Sequence, residues 1–283
     1  MRRSLSTFIR HMVALRTISR SDIATDVKAK IWKTYLNAMV LKRYDYKNKR
    51  VNVAGYELNY LDYGLFQYLF QEIFLHHEYY FLTASQRPLI IDCGSNIGLS
   101  ILYFTLMYPH SRIIAFEPDQ DSFCCLRSNI GQNQLHSVEI HMKAVSGDEG
   151  TIDFYYDKLN PGSLLMSTIH ERMPRDTRQV DAVHLSRYIT EEVEFLKMDV
   201  EGAELGVINE LYKSGRLKYI KQMAIEYHHH IVRDDDVLSK MLRILEGAGL
   251  GYQISARLGR PLRRREYQDI LIYAYRKGNV ASG

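Results

Sequence analysis

Cysteine, proline and tryptophan are scarce in this chain of 283 residues, which has 3 cysteines, 6 prolines and 1 tryptophan. The cysteines, Cys93, Cys124 and Cys125, form no C-x-x-C pair, so their spacing favours neither a zinc site nor a disulfide framework. Reduced thiols are typical of the cytoplasm. We therefore expect a cytoplasmic protein without disulfides.

Long apolar runs and a large excess of one charge are missing as well. No stretch approaches the roughly 20 apolar residues that a membrane-spanning helix needs, and no transmembrane segment is expected. The net charge of +4 is small for a protein that binds nucleic acid, because such proteins cluster more basic charge on one face. A hydrophobic share of 46% and a charged share of 25% are typical of a folded globular protein.

Positive charge is concentrated in two segments. The first 21 residues contain five arginines and no acid, with apolar residues at helical spacing, which predicts a basic amphipathic helix. It could be a transit peptide, a membrane-surface helix, or a helix that caps the domain or joins subunits into a homo-oligomer. Five more arginines lie between residues 257 and 265, either in a solvated turn or in a loop that grips an acidic substrate.

Residues 1–85 predict an appendage of helices and a small hairpin. Helical patterns run from Asp22 to about Arg43 and from Leu65 to His77. Between them, apolar residues alternate from Val51 to Tyr60 around Ala54-Gly55, as in a hairpin. The appendage is a candidate lid over a site or a contact between subunits.

From Pro88 onward, short apolar strands are separated by helix-length segments, which predicts βαβ units. Near the C-terminus, Tyr252–Ala256 and Ile270–Tyr275 are joined by a loop too short for a crossover helix, so they should pair as an antiparallel hairpin. The expected α/β fold of residues 86–283 is a doubly wound, mainly parallel seven-stranded sheet. The long segment from Asp157 to Arg178 is interpreted as a loop that faces the substrate.

The first motif is an apolar strand that runs through Asp92 into a turn with Gly94, Asn96 and Gly98. Glycine lets a ligand approach the backbone, and the following helix offers free N–H groups. The spacing is not the G-x-G-x-x-G of dinucleotide sites. Asp92 would repel a pyrophosphate but could bind an ammonium group, such as the methionine end of S-adenosylmethionine (SAM). The alternative is a plain strand-to-helix turn.

Acidic residues follow the ends of later strands. Glu117 could accept the hydroxyls of a ribose or cap the helix that begins near Asp119. Asp199 should face the crevice at the carboxyl ends of the strands. Strand alternation places Glu226, His228 and His230 on one side, where His228 is interpreted as a general base; a metal ligand and a polar loop cluster are the alternatives.

These motifs resemble the ordered motifs of the FkbM-type methyltransferases. The resemblance covers about Glu72 to Tyr227 and rests most on the run of residues 197–204, Lys-Met-Asp-Val-Glu-Gly-Ala-Glu, together with Phe116-Glu117-Pro118 and Ala144-Val145-Ser146. One departure is His184-Leu185-Ser186, where the family tends to carry an acid. The resemblance implies the SAM-dependent methyltransferase fold, SAM as methyl donor, and a hydroxyl of a sugar or natural product as acceptor.

The sequence therefore predicts a SAM-dependent O-methyltransferase that works by direct displacement on a small-molecule or glycan acceptor. A non-catalytic interaction module and a nicotinamide-dependent oxidoreductase are the alternatives. We expect catalysis by His228 as base, with Asp199 and Glu226 orienting it, and no metal. The residues expected to bind the cofactor are Asp92, Gly94, Asn96, Gly98, Glu117, Ala144 and Asp199.

Overall fold

The computed structural model describes residues 16–19, 23–232, 236–256 and 267–278. The predicted basic N-terminal helix lies outside this part of the chain except for residues 16–19, which are helical. The arginine-rich run at residues 257–265 lies wholly outside it. Among the described residues, no helix has the length and apolar character needed to cross a bilayer.

The N-terminal appendage contains two helices that flank a hairpin. Helix α1 (Thr25–Thr34) continues as a π-helical segment, Tyr35–Val40. Strands β1 (Arg50–Val53) and β2 (Tyr56–Asn59) pair across Ala54-Gly55, as predicted. Helix α2 (Tyr63–Phe70) continues as a second π-helical segment, Gln71–Leu75.

The remaining strands form a large sheet and a small one. Their bounds are β3 Leu89–Cys93, β4 Arg112–Phe116, β5 Val138–His141, β6 Ala144–Val145, β7 Gly150–Tyr156, β8 Asp176–Val183, β9 Val193–Met198, β10 Ile220–His229, β11 Leu250–Ala256 and β12 Gln268–Arg276. The large sheet has seven strands in the order β11-β12-β10-β9-β3-β4-β5. Strands β10, β9, β3, β4 and β5 are parallel, and β12 is antiparallel to both β10 and β11. The predicted mainly parallel sheet and its terminal hairpin are confirmed.

Helices cover both faces of the large sheet. They are α3 (Leu99–Met107), α4 (Gln120–Gln132), α5 (Glu204–Lys213) and α6 (Leu238–Gly247). Ile90 lies in one hydrophobic core with α3, α4 and the appendage, whereas its neighbour Ile91 lies in the other with α5 and α6. Adjacent side chains of a strand point to opposite faces, so burial on both faces explains the nearly continuous apolar runs.

The small sheet was not predicted. Strands β6, β7 and β8 form it in the order β6-β8-β7. Most residues of β8 are polar, and only its last two, Ala182 and Val183, are buried, so the alternation that identifies a strand is weak. Because β8 begins at Asp176, the long loop ends earlier than the predicted Arg178.

Asn129 on α4 joins the appendage to the sheet domain. Its buried amide donates to the carbonyl oxygens of Asn59 (3.0 Å) and Ile97 (2.8 Å) and accepts from the Asn59 N–H (2.8 Å). Asn129→Ala leaves these backbone groups without partners, so we expect the free energy of unfolding to fall by about 2–3 kcal/mol. Urea denaturation measures the loss. The control Gln179→Ala removes an exposed bond to Asp153 and should cost less than about 1 kcal/mol; equal losses would contradict this account of Asn129.

Candidate functional site

A cavity of about 810 Å³, open to solvent, lies at the carboxyl ends of β9, β3 and β4. This is where open α/β sheets bind ligands. Five residues that the sequence indicated for the cofactor line this cavity: Gly94, Asn96, Glu117, Ala144 and Asp199.

The Gly94 turn brings the chain against the end of β9. Gly94 has a φ of 86°, and a Cβ at this position would collide with the carbonyl oxygen of Asp199. The N–H groups of Gly94 and Ser95 both donate to the carbonyl oxygen of Phe116 at 3.0 Å. Glycine is needed here because both the left-handed backbone and the close approach exclude a side chain.

Glu117 lies at the far side of this turn and is 6% exposed. Its carboxylate accepts from the N–H groups of Asn96 and Asp119, both at 2.8 Å. Burial, together with Asp119, raises the pKa of Glu117 to about 8. The side chain that caps α4 is that of Asp119, which accepts from the Ser122 N–H at 2.8 Å. Glu117 therefore braces the turn at the cavity wall and is not the N-cap of α4.

Asp92 lies near the end of β3, just before the Gly94 turn. The residue is fully buried and is not part of the cavity wall. Its carboxylate accepts from the Ser100 hydroxyl at 2.5 Å and lies 3.4 Å from the Lys197 ammonium. Asp92 is therefore a counter-ion of Lys197, and its contact with the ammonium group of SAM stays a prediction.

Gly98 also lies outside the cavity wall. It is the N-cap of α3, with a φ of 90°, and a Cβ here would lie 2.7 Å from the Leu126 side chain. Gly98 thus allows α3 and α4 to pack closely, and any effect on a cofactor would act through the shape of the turn.

Lys197 contacts the Gly94 turn, Asp92 and Asp199. The residue is 2% exposed, and its ammonium donates to the carbonyl oxygens of Gly94 (2.5 Å) and Cys93 (3.2 Å). The Asp199 carboxylate lies 3.6 Å away. Although burial lowers it, the pKa of Lys197 is raised above its ordinary value by Asp92 and Asp199. A protonated lysine therefore fixes the turn, and motif analysis alone had not singled it out.

His228 lies behind the cavity wall and is 5% exposed. Its Nδ1 is 2.8 Å from a Glu204 oxygen, while Nε2 is 3.2 Å from Glu201 and 3.7 Å from Asp199. Although burial lowers it, the pKa of His228 is raised well above its ordinary value by Glu204, Glu201 and Asp199. The cavity is lined by Asp199 and Glu201, so the site presents carboxylates where the sequence had suggested an imidazole.

Glu226 and His228 lie on one side of β10, as predicted, and their side chains come together, but His230 does not join them. Glu226 lies on the same strand as His228, and burial and the nearby Asp199 raise its pKa well above the ordinary value. Strand β10 ends at His229, and His230 follows in a left-handed turn with a φ of 63°. Its Nε2 lies 2.8 Å from Asp236. The reversal of the chain breaks the alternation that had grouped the three residues.

The loop from Asp157 to Arg175 forms another wall of the cavity. The Ser167 hydroxyl donates to the carbonyl oxygen of Glu201 at 2.5 Å, and Arg172 forms an ion pair with the Glu201 carboxylate at 2.8 Å. The Asn96 amide donates to the carbonyl oxygen of Gly162 at 3.2 Å. The position of this loop at the site agrees with its interpretation from the sequence; its contact with a substrate stays a prediction.

The appendage also reaches the site. Leu69, Ile73 and Tyr79 line the cavity, and the first two lie on α2 and its π-helical extension. Sequence periodicity showed only that this helix is amphipathic, since a buried face looks the same whether it meets a core or a ligand site.

The strand order, with its antiparallel terminal hairpin, defines the fold of the SAM-dependent methyltransferases. The family model "Methyltransferase FkbM domain" matches residues 92–254. The chain belongs to the FkbM methyltransferase family. The three cysteines are free thiols, as expected.

Three methyltransferases are similar to this chain in sequence. "Methyltransferase sdnD" of Sordaria araneosa is 30% identical over 174 residues, which cover 50% of this chain and 67% of the relative. "31-O-demethyl-FK506 methyltransferase FkbM" of Streptomyces tacrolimicus is 26% identical, with 66% and 82% covered. "2-O-methyltransferase NoeI" of Sinorhizobium fredii is 26% identical, with 47% and 61% covered.

Among solved structures, "Methyltransferase FkbM from Methylobacillus flagellatus" is 19% identical, with 95% of this chain and 60% of that chain covered and a TM-score of 0.44.

Proposed function

We propose that this protein is a SAM-dependent O-methyltransferase that acts on a hydroxyl of a sugar or natural-product-like acceptor. The observation that carries the proposal is one cavity that gathers the Gly94 turn, Glu117 and Asp199 at the ends of three adjacent parallel strands. The names of two relatives, which specify a 31-O position and a 2-O-methyltransferase, support oxygen as the methyl acceptor.

Gly94, Asn96, Glu117, Ala144 and Asp199 are the proposed cofactor contacts. Glu117 keeps free lone pairs while two backbone N–H groups hold its carboxylate, so it can accept the hydroxyls of a ribose. Asp92 and Gly98 support this site from behind by fixing Lys197 and the start of α3.

In the proposed reaction, the acceptor oxygen attacks the SAM methyl group in line. The O–CH₃ bond forms as the S–CH₃ bond breaks, and the electron pair of that bond stays on sulfur in S-adenosylhomocysteine. Holding both reactants at near-attack distance supplies much of the rate. The hydroxyl proton passes to a carboxylate at the cavity edge.

Asp199 is the proposed proton acceptor. It lines the cavity, and its Oδ1 is buried without a hydrogen-bond partner in the described part of the chain. A positioned base adds roughly 10²- to 10⁴-fold in rate. His228 and Glu226 are proposed as positioning residues. The imidazole of His228 lies behind the cavity wall, where it contacts Asp199 and Glu201.

Glu117→Gln tests the cofactor site. At pH 9 the wild-type side chain is ionised, because burial raises the pKa of Glu117 to about 8. The neutral amide then loses charge-assisted hydrogen bonds worth roughly 1.5–3 kcal/mol, so SAM affinity at this pH should fall about 10- to 100-fold in calorimetry. Gln keeps only one of the two oxygens that accept from the Asn96 and Asp119 N–H groups, so the variant should be less stable than the wild type but still folded.

Glu194→Gln is the control. It changes a buried carboxylate at the opposite end of β9, where Glu194 accepts from Thr83 and Lys221, and it should leave SAM affinity unchanged. Wild-type affinity for SAM in Glu117→Gln would remove Glu117 from the cofactor site. Binding of NAD by the wild type in place of SAM would overturn the proposed function.

A further inference from the structure

Three atoms that carry lone pairs converge at the edge of the cavity. They are His228 Nε2, Asp199 Oδ1 and Glu201 Oε2, and all lie within 4.8 Å of one another. The distances from Nε2 to the two oxygens are 3.7 Å and 3.2 Å. Oxygen and imidazole nitrogen are the ligands that divalent cations of the first transition row accept.

The other ring nitrogen of His228, Nδ1, already has a hydrogen-bond partner. Its Nδ1 lies 2.8 Å from a carboxylate oxygen of Glu204, which is 1% exposed. An imidazole anchored by a carboxylate at one nitrogen, with the other nitrogen directed at further ligands, is the usual arrangement of a metal-binding histidine. Glu204 therefore turns Nε2 toward Asp199 and Glu201.

A single proton does not satisfy this arrangement. A proton on Nε2 can bond to Glu201 at 3.2 Å, but Asp199 Oδ1 then stays buried without a hydrogen-bond partner among the described residues. A cation between the three atoms would give Asp199 Oδ1 its partner. Glu201 Oε2 already accepts from two nitrogens of Arg172, at 2.9 Å and 2.8 Å, and these bonds hold its carboxylate in place.

The charge around His228 also favours a bound cation. Four carboxylates lie within 4.0 Å of its ring nitrogens: those of Asp199, Glu201, Glu204 and Asp269. Their other cationic partners, Arg172 and Lys197, contact Glu201 and Asp199, and Lys197 is shared with Asp92. The cluster thus carries more negative than positive charge.

We propose that His228, Asp199 and Glu201 bind a divalent cation of the first transition row such as Mn²⁺. Neighbouring ligands of an octahedral ion with bonds of about 2.1 Å lie about 3.0 Å apart, so the distances of 3.2 Å and 3.7 Å from Nε2 to the two carboxylates would have to shorten on binding. This proposal departs from the expectation of a metal-free site. It rests on the proposed function for its role, in which the ion holds the acceptor oxygen beside the SAM methyl group and lowers the pKa of its hydroxyl. In this role Oδ1 of Asp199 binds the ion, and the second oxygen of the same carboxylate accepts the proton.

A second group, His229, His230 and Asp236, provides the matched control. Its ligand atoms also lie within 4.8 Å of one another, but Asp236 is 79% exposed and the group lies in the turn after β10. Substitutions there test whether any histidine cluster of the protein takes up metal.

The experiment titrates Mn²⁺ into metal-free protein and follows free Mn²⁺ by electron paramagnetic resonance. We expect one strong site per chain. His228→Gln and Asp199→Asn should each weaken it at least 10-fold, whereas His230→Gln should leave it unchanged. Asp199→Asn is nearly isosteric, so it reports on the site if His228→Gln does not fold, as judged by the melting temperature.

Absence of a strong Mn²⁺ site in the wild type, or wild-type affinity in Asp199→Asn, would overturn the metal site. Loss of the strong Mn²⁺ site in His230→Gln alone would place that site in the turn after β10, and this result would overturn the proposal equally. Binding of S-adenosylhomocysteine is measured separately in the presence of EDTA. If that binding fails while the Mn²⁺ results hold, the proposed function is wrong and the metal site stands.

Discussion

Methyl transfer by Asp199→Asn is expected to be about 10²- to 10⁴-fold slower than by the wild type at saturating substrates. The amide keeps the shape of the carboxylate but accepts no proton from the acceptor hydroxyl, and a general base contributes about this factor. Because a base acts in the transition state, kcat should fall by this factor. Asp199 is also a proposed cofactor contact, so SAM affinity is measured separately and should fall by a smaller factor than kcat.

The measurement is turnover of radiolabelled SAM with an acceptor found by screening hydroxylated metabolites and glycans. Asp181→Asn is the control, since Asp181 is exposed on β8 and lies outside the cavity wall; it should retain wild-type kcat. Full activity of Asp199→Asn would remove Asp199 as the proton acceptor and make Glu201 the next candidate, since the other carboxylate described in the cavity wall, Glu117, is assigned to the cofactor.

Lys197→Met is expected to lower the free energy of unfolding by about 3–5 kcal/mol, because it leaves a buried carboxylate without its counter-ion. Asp92 would lose the ammonium 3.4 Å away. The Gly94 and Cys93 carbonyl oxygens would lose their donor as well, so SAM binding should weaken together with stability.

Urea denaturation measures this loss, and the double variant Lys197→Met with Asp92→Asn should recover part of it, because the two residues interact directly. Lys221→Met is the control: Lys221 is half-buried and pairs with Glu192 and Glu194, and its loss should cost less than about 1 kcal/mol. A cost below 1 kcal/mol for Lys197→Met would contradict the counter-ion role.

The sheet was predictable because the sequence patterns that indicate its strands are local. The apolar runs of β3 and β9 reflect burial on both faces, and the short connection before β12 allowed only an antiparallel pair. The Gly94 turn was equally local, since its glycines and the strand before it are contiguous. Weak alternation in β8 gave no such signal, and the small sheet was missed.

The arrangement of the site depends on contacts between distant parts of the chain. Lys197 bonds to the Cys93 carbonyl oxygen across 104 residues and lies 3.4 Å from the Asp92 carboxylate. Glu204, 24 residues before His228, raises the pKa of the histidine against the lowering effect of burial. Neither effect can be predicted from the spacing of residues in a motif. The sequence therefore predicted that these residues lie at one edge of the sheet, but it did not predict what each of them does there.

The most direct test of the cofactor site is a crystal structure of the protein with S-adenosylhomocysteine. The account predicts that the nucleoside lies in the cavity with its ribose hydroxyls on the Glu117 carboxylate and its sulfur directed toward Asp199. A nucleoside bound elsewhere, or a ribose that does not contact Glu117, would contradict it.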